Sequence, residues 1–553
     1  MSDFVYSKKG VGTLPLTRFK QLYTDADTIS PLPELTLTGN KKNIIYVQKE
    51  SAFIIIMGYC YHLGESITTM ASRLLDTFDE SMIKELKYEL NGQFIIIIKK
   101  HNYLYFFSDC MQVGNLYYSK DFSVITSCFS VVEEGLGTDK SDLDFYKVFE
   151  YVAMRNILYP SWLGSGTMHK NIKRLRPYEY IIIDLINSTN HIHEVKFAIN
   201  NEKEKDIHKI STGLMANLKS VIENPDFKDD HVAVTLTGGY DTRLISVLAS
   251  NYFKNATFRI SSSKISKSKQ LDTKIAKKIA RSIGKPLKIY QSNNTYKDAF
   301  YLLTEGMSPQ DNSHTAPVIE DNGSFSLGMG GCFGTELFAP LDYTSIEDFI
   351  ERSVLKAQRN IKADQVLWDT LRSSIKREFE DISKHYQLAV NCPNDEIRIF
   401  NLFCTSFLAS HIVWPFNIKG LEFEPYMSMR NLELALRLTT KQFGKRTNFT
   451  GMGEVQKIAM AQLCYSVGKI NTTHYGPMVP CTLRSFWSYL FHYFQHVTFS
   501  LNYRITSFMG EKKLIKATRN TVNINDLSYI SNGWDSLFLR RLSEKYGLDA
   551  KVK

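Results

Sequence analysis

The sequence predicts a mixed chain: an α+β N-terminal part, an α/β part built on a parallel sheet, and a mainly helical C-terminal stretch. Three observations predict it. Short β-branched and aromatic runs broken by polar turns dominate the early sequence. Strands alternate with helices between His231 and Tyr290, the mark of βαβ units. From about residue 345 helical spacing prevails, with no internal repeat.

Taken in order, Asn43 to Val47, Ala52 to Met57, Gln93 to Lys99 and Tyr103 to Ser108 read as strands, with a helix at Met82 to Leu90. Tyr178 to Leu185 and His191 to Ala198 form a strand pair joined by Asn187-Ser188-Thr189-Asn190, with His191 and His193 as structural residues. The pattern then changes. Lys203 to Glu223 is an amphipathic helix, His231 to Leu236 a buried strand, and Asp241 to Asn251 a helix. Ala256 to Ser261 is the next strand, Asp272 to Gly284 a helix and Pro286 to Tyr290 a strand. The boundary between the two parts falls near residue 200.

The chain has 553 residues, enough for two large domains or three smaller ones at roughly 100–200 residues each. Hydrophobic residues make up 43% and charged residues 22%, which excludes a disordered or collagen-like chain. The net charge of +10 is modest for this length and gives no argument for nucleic acid as a partner. Eight scattered cysteines form no CxxC pair and no zinc spacing, so reduced, buried thiols are expected. The N-terminus lacks the apolar core of a signal peptide, and runs such as Phe53 to Met57 and Phe94 to Ile98 are too short to span a bilayer. A cytoplasmic protein without a transmembrane segment is expected.

The most informative stretch runs from Val232 to Ile245, an apolar strand, a Gly238-Gly239 turn and an immediate helix. Glycines let a backbone turn tightly and approach a ligand, and free N–H groups at a helix start form an anion site. Thr237 and Thr242 add hydroxyls that suit phosphate oxygens. Asp241 would repel phosphate unless a cation lay between them, which points to Mg²⁺ ligation. There is no Walker A pattern, so this is a different phosphate loop.

Thr237-Gly238-Gly239-Tyr240-Asp241-Thr242 resembles the S-G-G-x-D-S pyrophosphate loop of the ATP pyrophosphatases, and its surroundings resemble the asparagine synthetase family. Thr167 to Pro177 is similar to the segment by which that family leaves its N-terminal domain. Leu90 to Phe94 and Asp109 to Tyr118 resemble glutaminase strands, and Gly328 to Phe338 the second ATP-site loop. Pro425-Tyr426-Met427 resembles the P-F-L segment, and Gly451 to Met460 the region of the synthetase lysine. These stretches occur in family order and reach about residue 465.

The resemblance implies an Ntn-hydrolase-like glutaminase sandwich over residues 1–200. An α/β ATP-pyrophosphatase domain, adenine nucleotide α-hydrolase-like, would follow over 201–470. Residues 471–553 form an aromatic and basic extension that the resemblance does not reach. The implied chemistry is adenylation of a carboxylate with release of pyrophosphate, then attack by an amine. Thr237, Gly238, Gly239, Asp241 and Thr242 would hold pyrophosphate and Mg²⁺, with Glu336 near a second Mg²⁺. Leu236, Ile260 and Gly331 would lie on the ATP side, and Lys457 would stabilise developing negative charge. Arg243 would reach a phosphate or substrate carboxylate, or else make a surface ion pair. The expected cofactors are ATP and Mg²⁺, and the expected partner is a small molecule or peptide bearing a carboxylate, for example a peptide or sugar acid. A homodimer or a pathway partner protein is also compatible with the family.

The departures are specific. The family's glutaminase has a cysteine after the initiator methionine, and this chain has Ser2, a weaker nucleophile. No R-G-P-D stretch is present, and N-G-E-I-Y-N is replaced by Met57 to His62. In the second loop Cys332 stands for a carboxylate and Thr335 for a metal-binding Asp. Family members without the cysteine include β-lactam synthetases and lasso-peptide cyclases, which use an amine on their substrate. The expected amine is therefore free ammonia or a substrate amine.

Bland readings stand beside these. Lys457 also suits a solvated helix face, Asp272 a helix N-cap as well as a metal or substrate role, and Cys332 a small buried residue. Phe486, Trp487, Tyr489, Phe491, Tyr493 and Phe494, followed by Arg504, Lys512, Lys513, Lys516 and Arg519, read first as core and second as a docking surface.

Overall fold

The computed structural model describes residues 2–14, 27–39, 43–62, 65–224, 231–262, 267–291, 305, 307, 326–412, 421–443, 453–473, 476–491, 538, 541–542 and 545–546. Among the described residues, twelve strands build the N-terminal part. They are β1 (Ser2–Ser7), β2 (Asp27–Leu32), β3 (Leu35–Gly39), β4 (Ile44–Lys49), β5 (Ala52–Tyr61) and β6 (Asn91–Lys100). The rest are β7 (Tyr103–Ser108), β8 (Tyr117–Ser119), β9 (Val124–Thr126), β10 (Ile172–Arg174), β11 (Glu179–Asp184) and β12 (Asn190–Glu194). They form two six-stranded antiparallel sheets, in the orders β10-β8-β9-β1-β3-β2 and β12-β11-β7-β6-β5-β4.

The sheets meet face to face, with the rings of Phe4 and Tyr6 on β1 lying 5.7 and 5.9 Å from Phe106 on β7. Helix α1 (Ile67–Thr77) covers the outer face of β4 and β5. The central strands are therefore buried on both sides, so β5 and β6 read as continuous apolar runs with no polar alternation. Helix α2 (Met82–Glu89) stands where the spacing predicts it. Helix α3 (Phe129–Leu136) packs on β8 and β9, and α4 (Phe145–Ile157) follows.

The predicted strand His191 to Ala198 is two strands. β12 stays in the N-terminal sheet, while β13 (Phe197–Ile199) leaves it to pair in parallel with β18 (Tyr386–Leu388). Helix α5 (Ile207–Ile222) starts behind Asp206, whose carboxylate accepts the His208 N–H at 2.9 Å. Alternation then begins with β14 (Val232–Thr235), α6 (Asp241–Tyr252), β15 (Thr257–Ser262), α7 (Lys267–Ile283) and β16 (Leu287–Gln291). β17 (Leu327–Met329) and β19 (Leu421–Phe423) complete a five-stranded parallel sheet in the order β16-β15-β14-β17-β19. Its chain order is third, second, first, fourth, fifth. Successive connections leave β14 in opposite directions, so the strand order reverses between β14 and β17, the place where open parallel sheets bind ligands at their carboxyl ends.

The rest is mainly helical: α8 (Gly334–Phe338), α9 (Ile346–Gln358), α10 (Gln365–His385), α11 (Pro393–Ile412), α12 (Met429–Leu436) and α13 (Glu454–Gly468). The N-terminal sheets and this second part are packed together. Tyr59 stacks on Phe423 at 4.0 Å, Tyr178 on His385 at 3.7 Å, and buried Arg176 pairs with Glu378. Far down the chain, Phe538 stacks on Tyr151 at 4.5 Å, while Arg541, Lys545 and Tyr546 all bond to the buried carboxylate of Glu133.

Two expectations change here. All eight cysteines are free, but Cys332 and Cys481 are exposed. The aromatic stretch is not core throughout: Tyr489 is buried, yet Phe486, Trp487 and Phe491 are exposed at 39%, 74% and 60%. Tyr493, Phe494 and the basic residues Arg504, Lys512, Lys513, Lys516 and Arg519 lie outside the described residues. Among the described residues no helix is long and apolar enough to cross a membrane.

Candidate functional site

Two loops meet where the strand order reverses. The first leaves β14, whose Val232 to Val234 are buried, and continues through buried Leu236 into Thr237-Gly238-Gly239-Tyr240. Its hydroxyls knit it together. The Thr242 hydroxyl accepts the Thr237 N–H at 3.0 Å and lies 3.0 Å from the Thr237 hydroxyl, which accepts the Gly239 N–H at 3.2 Å. The Gly238 N–H is donated to the Asp272 carboxylate at 3.3 Å. Each of these three amides therefore has an oxygen partner within the chain.

The second loop runs from β17 into α8 and lies flush against the start of α6. A Cβ on Gly331 would stand 2.6 Å from the backbone nitrogen of Thr242, so no side chain fits there. The contact brings Thr335 onto Asp241: its N–H and hydroxyl donate to one carboxylate oxygen at 3.1 and 2.6 Å. Gln456 on α13 donates to the other oxygen at 2.6 Å. Burial pushes the Asp241 carboxyl up to about 7; the Thr335 hydrogen bond works against this rise and the charge of Glu336 adds to it. Glu336 follows on α8 and accepts the Tyr159 hydroxyl at 2.8 Å. Burial also raises its pKa above the usual carboxylate range.

A second acidic layer lies below. Glu424, buried just past β19, accepts the Cys332 N–H at 2.7 Å, and burial followed by the charge of Glu422 pushes it up to about 8. Glu422 itself pairs with buried Arg259. Cys332 is therefore not a small core residue. Its side chain has a solvent-facing surface, while the surrounding protein and then Glu424 hold its thiol well above its ordinary range. That favours the protonated thiol over the reactive thiolate.

The structure brings together Leu236, Thr237, Gly238, Gly239, Asp241, Thr242, Gly331 and Glu336. Ile260 is buried on neighbouring β15, opposite Ile289 of β16. Arg243 is different. It is fully buried and donates to the carbonyls of Gly238 at 3.2 Å, Asn471 at 3.4 Å and Ile470. It is neither a phosphate ligand nor a surface ion pair, because position 243 faces the interior and a buried guanidinium needs acceptors there. Asp272 is not an N-cap: α7 begins at Lys267, and Asp272 reaches the first loop from within the helix.

Lys457 is buried rather than solvated. It donates to Glu454 at 2.6 Å with its ammonium 5.7 Å from the Tyr489 ring centre, and burial lowers its pKa. Ser2 opens β1 in register with Gly39, in the N-terminal sheet. Tyr159 and Thr473 carry no local sequence signal, while Gln456 lies within the Gly451 to Met460 stretch and Glu424 stands directly before Pro425.

Mg²⁺ usually takes one or two carboxylates and completes its shell with phosphate oxygens and water. Among the described residues no three His, Cys, Asp or Glu side chains converge as a metal cluster. Asp241 and Glu336 thus fit a cation carried by a polyphosphate, and do not fit an all-protein metal cage. Comparison of the chain with protein-family models finds no match, and comparison with curated proteins finds none either.

Proposed function

We propose that this protein is an ATP- and Mg²⁺-dependent ligase that forms an amide bond through an acyl-adenylate, as the asparagine synthetase family does. The observation that carries the reading is the Thr237–Thr242 loop at the point where the parallel strand order reverses, with Asp241 at its mouth. Ligands of open parallel sheets bind at that point. The N-terminal sandwich is read as Ntn-hydrolase-like, the second part as an ATP-pyrophosphatase fold, and the protein as cytoplasmic.

In the proposed reaction a carboxylate oxygen of the substrate attacks the α-phosphorus of ATP, a new P–O bond forms and pyrophosphate leaves. The amine lone pair then attacks the acyl carbon, AMP departs with the C–O bond electrons, and the nitrogen loses a proton. Thr237, Gly238, Gly239 and Thr242 would bind pyrophosphate oxygens, with Leu236, Ile260 and Gly331 beside the nucleotide. Asp241 and Glu336 would hold Mg²⁺, which offsets phosphate charge when bound. Lys457 would meet the developing charge only after giving up Glu454. Arg243 supports the loop from beneath and has no direct role.

The amine is ammonia or part of the substrate, since Ser2 replaces the glutaminase cysteine. Glutamate release from glutamine that is lost in Ser2→Ala would overturn that assignment. Calorimetry of Mg·ATP binding to wild type and Asp241→Ala tests the nucleotide site. Binding that the substitution removes supports the reading, and pyrophosphate release would then screen carboxylate substrates. A second reading, a catalytically silent relative serving as a scaffold, is favoured by Thr335 in place of a metal-binding carboxylate. No binding at millimolar ATP would favour it.

A further inference from the structure

The first loop is gripped by two other parts of the chain. Asp272 Oδ1 accepts the Gly238 N–H at 3.3 Å and also the hydroxyl hydrogen bond of Thr473. The Thr473 N–H in turn donates to the Gly238 carbonyl at 3.1 Å. A Cβ on Gly238 would stand 2.0 Å from the Thr473 hydroxyl and 2.7 Å from Asp272, so it is this grip that excludes a side chain there. Arg243 fastens the same segment from below through the carbonyls of Ile470, Asn471 and Gly238.

A carboxylate oxygen on a loop amide has the charge sign and acceptor geometry of a phosphate oxygen. Two such anions cannot share one N–H without repulsion. We propose that Asp272 and Thr473 form a latch over the first loop, in which the Asp272 carboxylate takes the place of a phosphate oxygen at Gly238. Polyphosphate binds there only when Asp272 gives up the Gly238 N–H, and the Thr473 hydroxyl bonded to the same oxygen holds Asp272 in place. The inference rests on reading the loop as a phosphate site, and it adds a closed state to that site. Apparent affinity is then the intrinsic affinity reduced by the fraction of molecules that are open.

Two variants separate the parts. Thr473→Val removes the hydroxyl at nearly constant shape, and Asp272→Asn removes the charge. Amide hydrogen exchange at Gly238 and Gly239, without nucleotide, is expected to accelerate in Thr473→Val and to stay at the wild-type rate in Thr473→Ser. Calorimetric affinity for Mg·ATP is expected to tighten by about tenfold in both Thr473→Val and Asp272→Asn. Unchanged exchange in Thr473→Val overturns the latch whatever the nucleotide does. Faster exchange with unchanged or weaker affinity overturns the competition while leaving the nucleotide site standing. Faster exchange with no ATP binding by wild type or either variant overturns the nucleotide reading, and the competition with it.

Discussion

Thr335 donates both its backbone N–H and its hydroxyl to one carboxylate oxygen of Asp241, at 3.1 and 2.6 Å. Thr335 therefore orients the Asp241 carboxylate. Thr335→Val should remove one charge-assisted hydrogen bond and weaken Mg·ATP binding by about tenfold, on the order of 1.5 kcal/mol. Thr335→Ser should retain the affinity. Titration calorimetry that finds Thr335→Val equal to wild type would sink the assignment.

Glu133 is buried and receives Arg541, Lys545 and Tyr546. Removing one partner of a buried ion pair strands the other, at a cost of about 3–5 kcal/mol. Glu133→Ala should lose stability of that order in urea denaturation. A loss below about 1 kcal/mol would mean that the described C-terminal residues are not firmly docked.

Lys87 on α2 is buried and donates to the Ser108 carbonyl at 2.8 Å, and burial lowers its pKa to about 8 from the ordinary 10.5. The unfolded chain binds more protons between those values, so stability should rise with pH from about 8 to 10.5. Urea denaturation at about pH 7.5 and 9.5 should show this rise in wild type. Lys87→Met should flatten it, and an equal rise in the variant would assign the effect to other groups.

Gly331→Ala would place a methyl group 2.6 Å from the backbone nitrogen of Thr242. Backbone cannot rotate away as a side chain can, so the second loop must shift from α6. A loss of about 1–3 kcal/mol in thermal or urea denaturation is expected, together with weakened nucleotide binding. A variant with wild-type stability and affinity would show that the two loops are not held flush.

Legibility in the sequence followed the range of the interactions. The unit around Asp241 was readable because an apolar strand, a Gly-Gly turn and a periodic helix are all local signals; the helix expected at Asp241 to Asn251 is found at Asp241–Tyr252. Three-residue strands such as β8, β9 and β10 are too short to show a period. Asp272 has the residue type of an N-cap, but its helix begins earlier, so the local signal lost to a tertiary contact. Gln456 meets Asp241 across 215 residues and Tyr159 meets Glu336 across 177, and no local pattern encodes such pairs. The aromatic stretch at 486–491 misled because composition gives burial only on average.

The docking of Arg541 on Glu133 also sets a timetable for synthesis. The arginine is encoded 408 residues after the glutamate. At roughly 5–20 residues per second the ribosome needs about 20–80 s to cover that distance. Once Glu194 has been added the N-terminal sandwich has all its described strands, yet it still lacks the cations that neutralise an acid in its interior. A nascent chain of that length must keep α3 open to water, so this folding step waits for the residues around Arg541.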